Sequence, residues 1–435
     1  MRKSLFNSCV LGAALMMAST THAQRKMTID ELFNQVEAGS KVISSQKAGM
    51  ETANAALQVA RAQRLPDVNA SLSATYNGNV LMTDRNLSNA KGITQPHIGN
   101  SFALEAQQVV YAGGAVNAGI KLAEVQKLQA ENAVDITRQQ QRFMALGQYL
   151  DLFKMDNSIK VYDSNIALTK QLIANANEKL KQGMALKNDV TRYELQLEAL
   201  QLGKRKLEDQ RDIINYQLCN TLGLPQQQLA ADENVATAAT DNTTQAAWQE
   251  RAQATSPQLK QSQLGIDAAK VQLKLSKSDL LPKVAVFAAD NFSGPFVYDL
   301  PPIDKNFNLW YIGIGVKYSL SSLFKGNRNV KRAEAVLRQT EQGRAVAVQQ
   351  VDNQVQQAYT LYQQSFVDLR TQQKSVELAT QNYEVVNNRY LNQLALVTDM
   401  VDAANVKLNA ELQEVNARVN TVYAYYQMKF ASGNI

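Results

Sequence analysis

Two residue types needed for most enzyme and metal chemistry are nearly missing. The chain has two cysteines, Cys9 and Cys219, and two histidines, His22 and His97. Cys9 and His22 fall in a leading segment. There Arg2 and Lys3 precede an apolar run from Cys9 to Ala18, and Thr21-His22-Ala23 offers a small-x-small cleavage site. That is the layout of a secretory signal peptide, and its run is shorter than the ~20 residues a bilayer span needs. Cys9 lies inside the run rather than after it, so no lipid attachment is expected. Residues 1–23 form a signal peptide in this reading, and the mature chain starts near Gln24 with one cysteine and one histidine. No intrachain disulfide can form from one cysteine, and His- or Cys-based triads and clustered metal ligands are nearly excluded. No cofactor is expected. Counting leaves room only for an enzyme built on carboxylates, and no constellation supports one. No P-loop glycine-lysine motif occurs. The net charge of +6 is mild, and its basic residues are spread along the chain, so no nucleic-acid footprint emerges.

Proline is scarce too, and its placement organises the chain. None of the eight prolines lies between Pro96 and Pro225 or beyond Pro302. Proline is the strongest helix breaker, so each run can hold very long helices. In the first, Tyr193, Leu200, Leu207 and Ile214 recur every seven residues; in the second, Val355, Tyr362, Leu369, Val376 and Tyr383 do so. Such spacing marks a coiled-coil seam. The remaining positions are largely Gln, Asn, Lys, Asp and Glu. A single helix over 115–180 would be about 100 Å long at ~1.5 Å per residue. The ordinary alternative for such helices is a dimeric coiled-coil rod.

The two runs read as copies. "MALKND" at Met184 aligns with "LALVTD" at Leu394, and the same register aligns "YQLCNTLG" at Tyr216 with "YQMKFASG" at Tyr426. Upstream, "LPDVNASLSATYN" at Leu65 matches "LPKVAVFAADNF" at Leu281, and "VVYAGG" at Val109 more loosely matches "SSLFKG" at Ser321. The order helix, Leu-Pro, strand, strand, Gly, long helix, helix thus occurs twice, which indicates one duplicated architecture.

Between the helices the sequence alternates with period two. Val68, Ala70, Leu72, Ala74 and Tyr76 oppose Asp67, Asn69, Ser71, Ser73 and Thr75. Ile98, Phe102, Leu104 and Ala106 oppose Gly99, Ser101 and Glu105. Trp310, Ile312, Ile314, Val316, Tyr318 and Leu320 oppose Tyr311, Gly313, Gly315, Lys317 and Ser319; Val284 to Phe292 alternates least clearly. An ordinary sheet on a core would alternate this way, but the flanking helices are too polar to supply that core. Strands of ~9–11 residues, apolar outward and polar inward, also describe a membrane barrel. Segments 77–96 and 293–306 would be its long loops. Four strands cannot close one, since small barrels need about eight, so this reading forces an oligomer.

With these features the mature chain resembles the TolC family of outer-membrane efflux proteins. The resemblance rests on the duplicated halves, on Leu65-Pro66 and Leu281-Pro282 where helix meets strand, and on Gly113-Gly114 and Gly326 where strand returns to helix. Thr221-Leu222-Gly223-Leu224-Pro225 closes the first half. The resemblance implies an α+β fold. It joins a long antiparallel α-helical coiled-coil barrel to a 12-stranded transmembrane β-barrel, four strands per chain, with two internal repeats in a homotrimer. It implies a first repeat over 24–225, with strands about 66–77 and 98–111 and long helices over 115–222. An inter-repeat segment follows over 226–244. A second repeat spans 245–435, with strands about 282–292 and 308–321 and long helices over 327–430. The implied function is a passive exit duct of a tripartite efflux or type I secretion system. Its partners would be a periplasmic membrane-fusion adaptor, an inner-membrane transporter of RND or ABC type, and outer-membrane lipid. The other reading of the residues is a periplasmic coiled-coil adaptor or scaffold without a pore.

The resemblance also assigns residues. "TDMVDA" at Thr398 places Asp399 and Asp402 three apart on one helix face, a like-charge spacing that costs a lone helix a few tenths of a kcal/mol. In the family, aspartates so spaced lie near the closed periplasmic tip. Three chains would stack two carboxylate rings at a constriction that attracts cations and repels anions. Tyr390, Asp189 and Asn188 match positions that hold the tip closed. Two positions depart from the pattern: Ala395 stands where the family has an arginine, and Gln393 where it often has glycine. One charge-assisted hydrogen bond is therefore expected to be missing. The lock should be looser, or closed by other contacts.

Overall fold

The computed structural model describes residues 25–236, 241–296 and 302–435. The expected signal peptide, residues 237–240 of the inter-repeat segment and residues 297–301 of the second long loop lie outside them. In chain order the first elements are β1 (Arg25–Met27), α1 (Ile29–Gly39), α2 (Lys41–Ala62), β2 (Asp67–Tyr76), β3 (Val80–Met82), β4 (Lys91–Ile93) and β5 (Ile98–Ala112). The long helices α3 (Ala115–Lys181) and α4 (Lys187–Leu222) follow. Then come β6 (Leu229–Ala231), α5 (Gln245–Thr255), α6 (Pro257–Ser278), β7 (Lys283–Gly294), β8 (Phe307–Lys317), α7 (Ser322–Leu391) and α8 (Val397–Ala431). After β5 and β8, each proline-free run holds two unbroken long helices, as its composition predicts. Among the described residues no helix is long and apolar enough to cross a membrane.

The chain divides into two compact units. One comprises residues up to Lys41, Gln141–Asp241 and Thr360–Gln427; the other comprises Val42–Gln140, Asn242–Tyr359 and Met428–Ile435. The second unit holds a four-stranded antiparallel sheet in the order β2-β5-β7-β8. Its register turns the sequence alternation into two faces. Leu72 pairs with Phe102, Phe102 with Phe292, and Val286 with Ile314 on one face. Ser73 pairs with Ser101, Ser101 with Ser293, and Lys283 with Lys317 on the other. The apolar face stays open: Leu72, Tyr76, Trp310, Ile312 and Ile314 are all exposed. Among the described residues no helical core lies on it. The least regular strand, β7, is paired on both sides. Its pattern is blurred because Asp290 stands on the apolar face opposite Trp310, and Phe287 on the polar face opposite Gly313. Gly313 makes room for that ring: a Cβ there would come 2.8 Å from its tip, so Phe287 would have to move.

Two boundaries differ from expectation. β8 stops at Lys317, so Tyr318 and Leu320 lie beyond the strand, and α7 begins at Ser322 rather than 327. Gly326 therefore sits inside the first turns of α7, where a Cβ would come 2.5 Å from Leu280. Its near neighbour is the flexible tip of the Leu280 side chain, so this glycine marks close packing rather than a turn. Gly113 does make the turn: its φ is +61°, and a Cβ would strike the Ser278 carbonyl at 2.7 Å. The first long loop also carries a short hairpin, β3–β4, which the sequence did not signal.

In the first unit, seam positions Tyr193, Leu200, Tyr362 and Tyr383 are buried, as the seven-residue spacing predicts. The inter-repeat segment is no plain linker. β6 pairs in parallel with β1, and Arg211 of α4 holds it. Arg211 donates to the Gln228 side chain at 2.6 Å and to the Leu229 carbonyl at 2.8 Å, while its charge meets Asp156. Asn215 donates to the Gln227 carbonyl and accepts from the Leu229 N–H, both at 2.9 Å. Tyr149 donates to the Met27 carbonyl and accepts from the Asp232 N–H. Burial pushes the Tyr149 phenol up to about 12.

Candidate gate at the helix ends

The first unit contains two helical hairpins, α3–α4 and α7–α8, whose turns are built alike. The Met184 N–H donates to the Lys179 carbonyl at 2.8 Å, and the Leu394 N–H to the Arg389 carbonyl at 2.8 Å. The third turn residue is left-handed in both, Gly183 with φ +73° and Gln393 with φ +63°. Glycine adopts that conformation freely, whereas glutamine has a Cβ penalty of ~1–2 kcal/mol. All these residue pairs are 210 positions apart.

The same register relates the aspartates. The Leu186 N–H donates to the Asp189 carboxylate at 2.9 Å, and the Leu396 N–H to the Asp399 carboxylate at 2.9 Å. Each aspartate thus satisfies an orphan N–H at its helix start and places negative charge at the positive end of the dipole. Asp399 has a local structural task that its spacing from Asp402 did not reveal. Asp402, one turn on, is exposed and makes no hydrogen bond or ion pair among the described residues.

Tyr390 closes the end of α7. It is 6 % exposed and belongs to an apolar cluster with Leu172, Ala176, Val190, Tyr193, Val397 and Met400. Its ring meets that of Tyr193 edge-on at 6.2 Å. Burial, and then Tyr390 beside it, hold the Tyr193 phenol above its ordinary range. Ala395 packs against the same cluster. Asn188 is exposed. No hydrogen bond joins Asp189 to Tyr390 within the chain, because the Asp189 carboxylate is turned to its own helix start. Instead Lys179 reaches Tyr390. Its Nζ lies 4.4 Å from the ring centroid and 3.4 Å from the Tyr390 carbonyl oxygen. Sequence reasoning missed Lys179; the 210-residue register, which aligns it with Arg389, would have singled it out. The remaining histidine, His97, stacks on Tyr76 at 5.4 Å and bonds the Asn77 carbonyl, a structural role.

No curated protein matches the sequence. The model of the outer membrane efflux protein family matches residues 248–434. Among solved structures, the outer membrane protein VceC from Vibrio cholerae superposes with a TM-score of 0.75 at 15% identity, covering 93% of this chain and 96% of its own. The CmeC outer membrane channel of Campylobacter jejuni gives 0.74 at 13% identity, covering 93% and 85%. The MtrE outer membrane channel of Neisseria gonorrhoeae, in its open state, gives 0.73 at 11%, covering 93% and 89%. Members of this family are transport conduits rather than enzymes. Residues 248–434 thus resemble the outer membrane efflux protein family in sequence, and nearly the whole chain shares its fold with outer-membrane channels.

Proposed function

We propose that the protein is the trimeric outer-membrane exit duct of a tripartite efflux or type I secretion system, with its helical part in the periplasm. The observation that carries this is the open sheet. β2 and β8 are unpaired edges within the chain and run in opposite directions. β8 of one copy can therefore pair antiparallel with β2 of the next, removing edges that are otherwise a liability. Three copies give twelve strands. The exposed apolar face then meets lipid, and the Ser-, Asn- and Lys-bearing face lines water. Tyr76, Phe102, Phe292 and Trp310 stand toward one end of the apolar face and Tyr111 toward the other, with Tyr318 just beyond β8. Trp310 and Tyr318 are eight residues apart, ~26 Å along a strand and ~20 Å along the membrane normal at the usual tilt, close to the apolar band of such barrels.

The two halves, 24–225 and 245–435, are copies in this reading. The second half supplies the exposed carboxylates of the constriction. Three chains bring Asp399 and Asp402 into stacked rings that pass cations and repel anions. Asp189, Asn188 and Tyr390 meet across the closed tip between chains. An adaptor and an inner-membrane transporter of RND or ABC type supply contact and energy, and opening shifts α4 and α8 like an iris. The test is ion conductance of the purified protein in planar bilayers, beside cross-linking of its oligomer. A trimer with small, cation-selective conductance supports the reading. Folded protein that never inserts would sink it and leave the periplasmic scaffold.

A further inference from the structure

The two hairpins of the first unit meet at their turns through few polar contacts. Gln393 Nε2 lies 3.8 Å from the Met184 sulfur, a weak pairing. Gln196 donates to Asn405 at 2.6 Å further along the helices. Asn165 of α3 donates to the Glu411 carboxylate of α8 at 3.0 Å, also further along. At the turns themselves the charged contact is Lys179 with Tyr390.

Its geometry is specific. Lys179 is in the last turn of α3, and Tyr390 is the penultimate residue of α7. The neighbouring Lys181 is neutralised by Glu178 at 2.8 Å. Lys179 has no carboxylate partner among the described residues; its ammonium has a ring face and a helix-terminal carbonyl instead. Both attract a cation. The ring does so through its quadrupole, and the carbonyl because the last carbonyls of a helix carry the negative end of its dipole. Arg389, the counterpart of Lys179 in the other hairpin, turns back to the Leu394 carbonyl of its own turn at 3.3 Å. Only one of the two matched cations crosses between hairpins. It grips the tyrosine that already packs against Tyr193 of α4 and against Val397 and Met400 of α8.

We infer that Lys179 is the latch of this gate: a positioning residue that ties the α3–α4 hairpin to the α7–α8 hairpin through the ring and backbone carbonyl of Tyr390, with no need of the tyrosine hydroxyl. The inference rests on the duct reading, since a latch requires something to open. As α4 and α8 shift, they carry with them the Tyr390 side chain that packs on Tyr193, Val397 and Met400, which pulls the ammonium off the ring and carbonyl together. The contact adds nothing to the open state, so it biases the closed one.

The experiment is single-channel conductance of the full-length trimer in planar bilayers for the wild type and four variants. Lys179→Met keeps the length of the stem and removes the charge; it is expected to raise the open fraction several-fold. Lys179→Arg restores a cation that stacks on a ring and should return the open fraction to near the wild-type level. Tyr390→Phe keeps ring and carbonyl and loses only what the hydroxyl gives between chains, so it should open far less than Tyr390→Leu. Rescue by arginine and the gap between the phenylalanine and leucine variants separate a latch from a general packing role. A Lys179→Met channel as closed as the wild type overturns the latch while leaving the duct intact. Opening by Tyr390→Phe equal to that of Tyr390→Leu also overturns it, because the hydroxyl would then hold the gate. Absence of any conductance in the wild type, by contrast, removes the duct and the latch together.

Discussion

Asp189 and Asp399 make the same bond: each accepts the backbone N–H three residues before it at 2.9 Å, at the start of α4 and of α8. Asp402 has no such task. The two aspartates of the proposed constriction are thus unequal, one holding a helix end and carrying charge, the other carrying charge alone. Asp402→Ala should change ion selectivity and leave the tip stable. Asp399→Ala should change selectivity and also loosen the start of α8 by about 1 kcal/mol. Asp189→Ala should loosen α4 without the selectivity change. Reversal potentials and amide exchange at the two turns, measured on the same three variants, separate these outcomes. Equal exchange in all three would refute the division of labour.

The left-handed turn residues differ in their tolerance. Gly183 has φ +73° and open space around its Cα, so only the backbone resists a side chain. Gly183→Ala should destabilise its turn by about 1 kcal/mol. Gln393→Gly removes a strained Cβ but frees the unfolded chain, so its net effect should be small. Proteolysis rates at the two turns read the difference.

The inter-repeat clamp depends on a buried cation. Removing Asp156 leaves the buried Arg211 cation uncompensated, at a cost of about 3–5 kcal/mol, whereas removing Arg211 leaves a half-buried carboxylate and costs less. Arg211→Ala should expose residues 226–231 to protease well before the helices unfold. Asp156→Ala should do the same although it touches no residue of that segment. Resistance of 226–231 in both variants would show that Asn215 and Tyr149 suffice.

Tyr149 makes the clamp sensitive to alkali. Its folded phenol titrates at about 12, above its ordinary value, so the neutral form is favoured in the folded chain. That stability is fully present below pH ~10 and is lost as pH rises from there through about 12. Melting curves should fall across this window, and Tyr149→Phe should flatten the fall while lowering the melting temperature at neutral pH. An unchanged alkaline slope in Tyr149→Phe would assign the effect to another phenol.

In the sheet, Phe287 fills the space above Gly313. Gly313→Val should prevent β7 and β8 from pairing and lower the yield of the assembled oligomer. Adding Phe287→Ala should restore it. Oligomer recovery on semi-native gels checks both.

The sequence by itself determined the long helices and the alternation of the main sheet strands. Absence of proline over long spans leaves nothing to break α3, α4, α7 and α8, and alternation fixes which side chains share a face of β2 and β8. These are local properties of chain geometry, so they could be read residue by residue. The 210-residue register that relates the two turns was legible for the same reason. Tertiary structure decided what depends on neighbours distant in sequence. It placed β7 at the centre of the sheet despite its blurred pattern, because strand order follows pairing rather than alternation. It made a clamp of Arg211, Tyr149 and Asn215 from a segment with no periodicity. It gave Lys179 and Arg389, matched in sequence, different partners. A cation goes to whichever ring or carbonyl packing brings within reach, and that is set by how the hairpins pack rather than by the residues beside it in the chain.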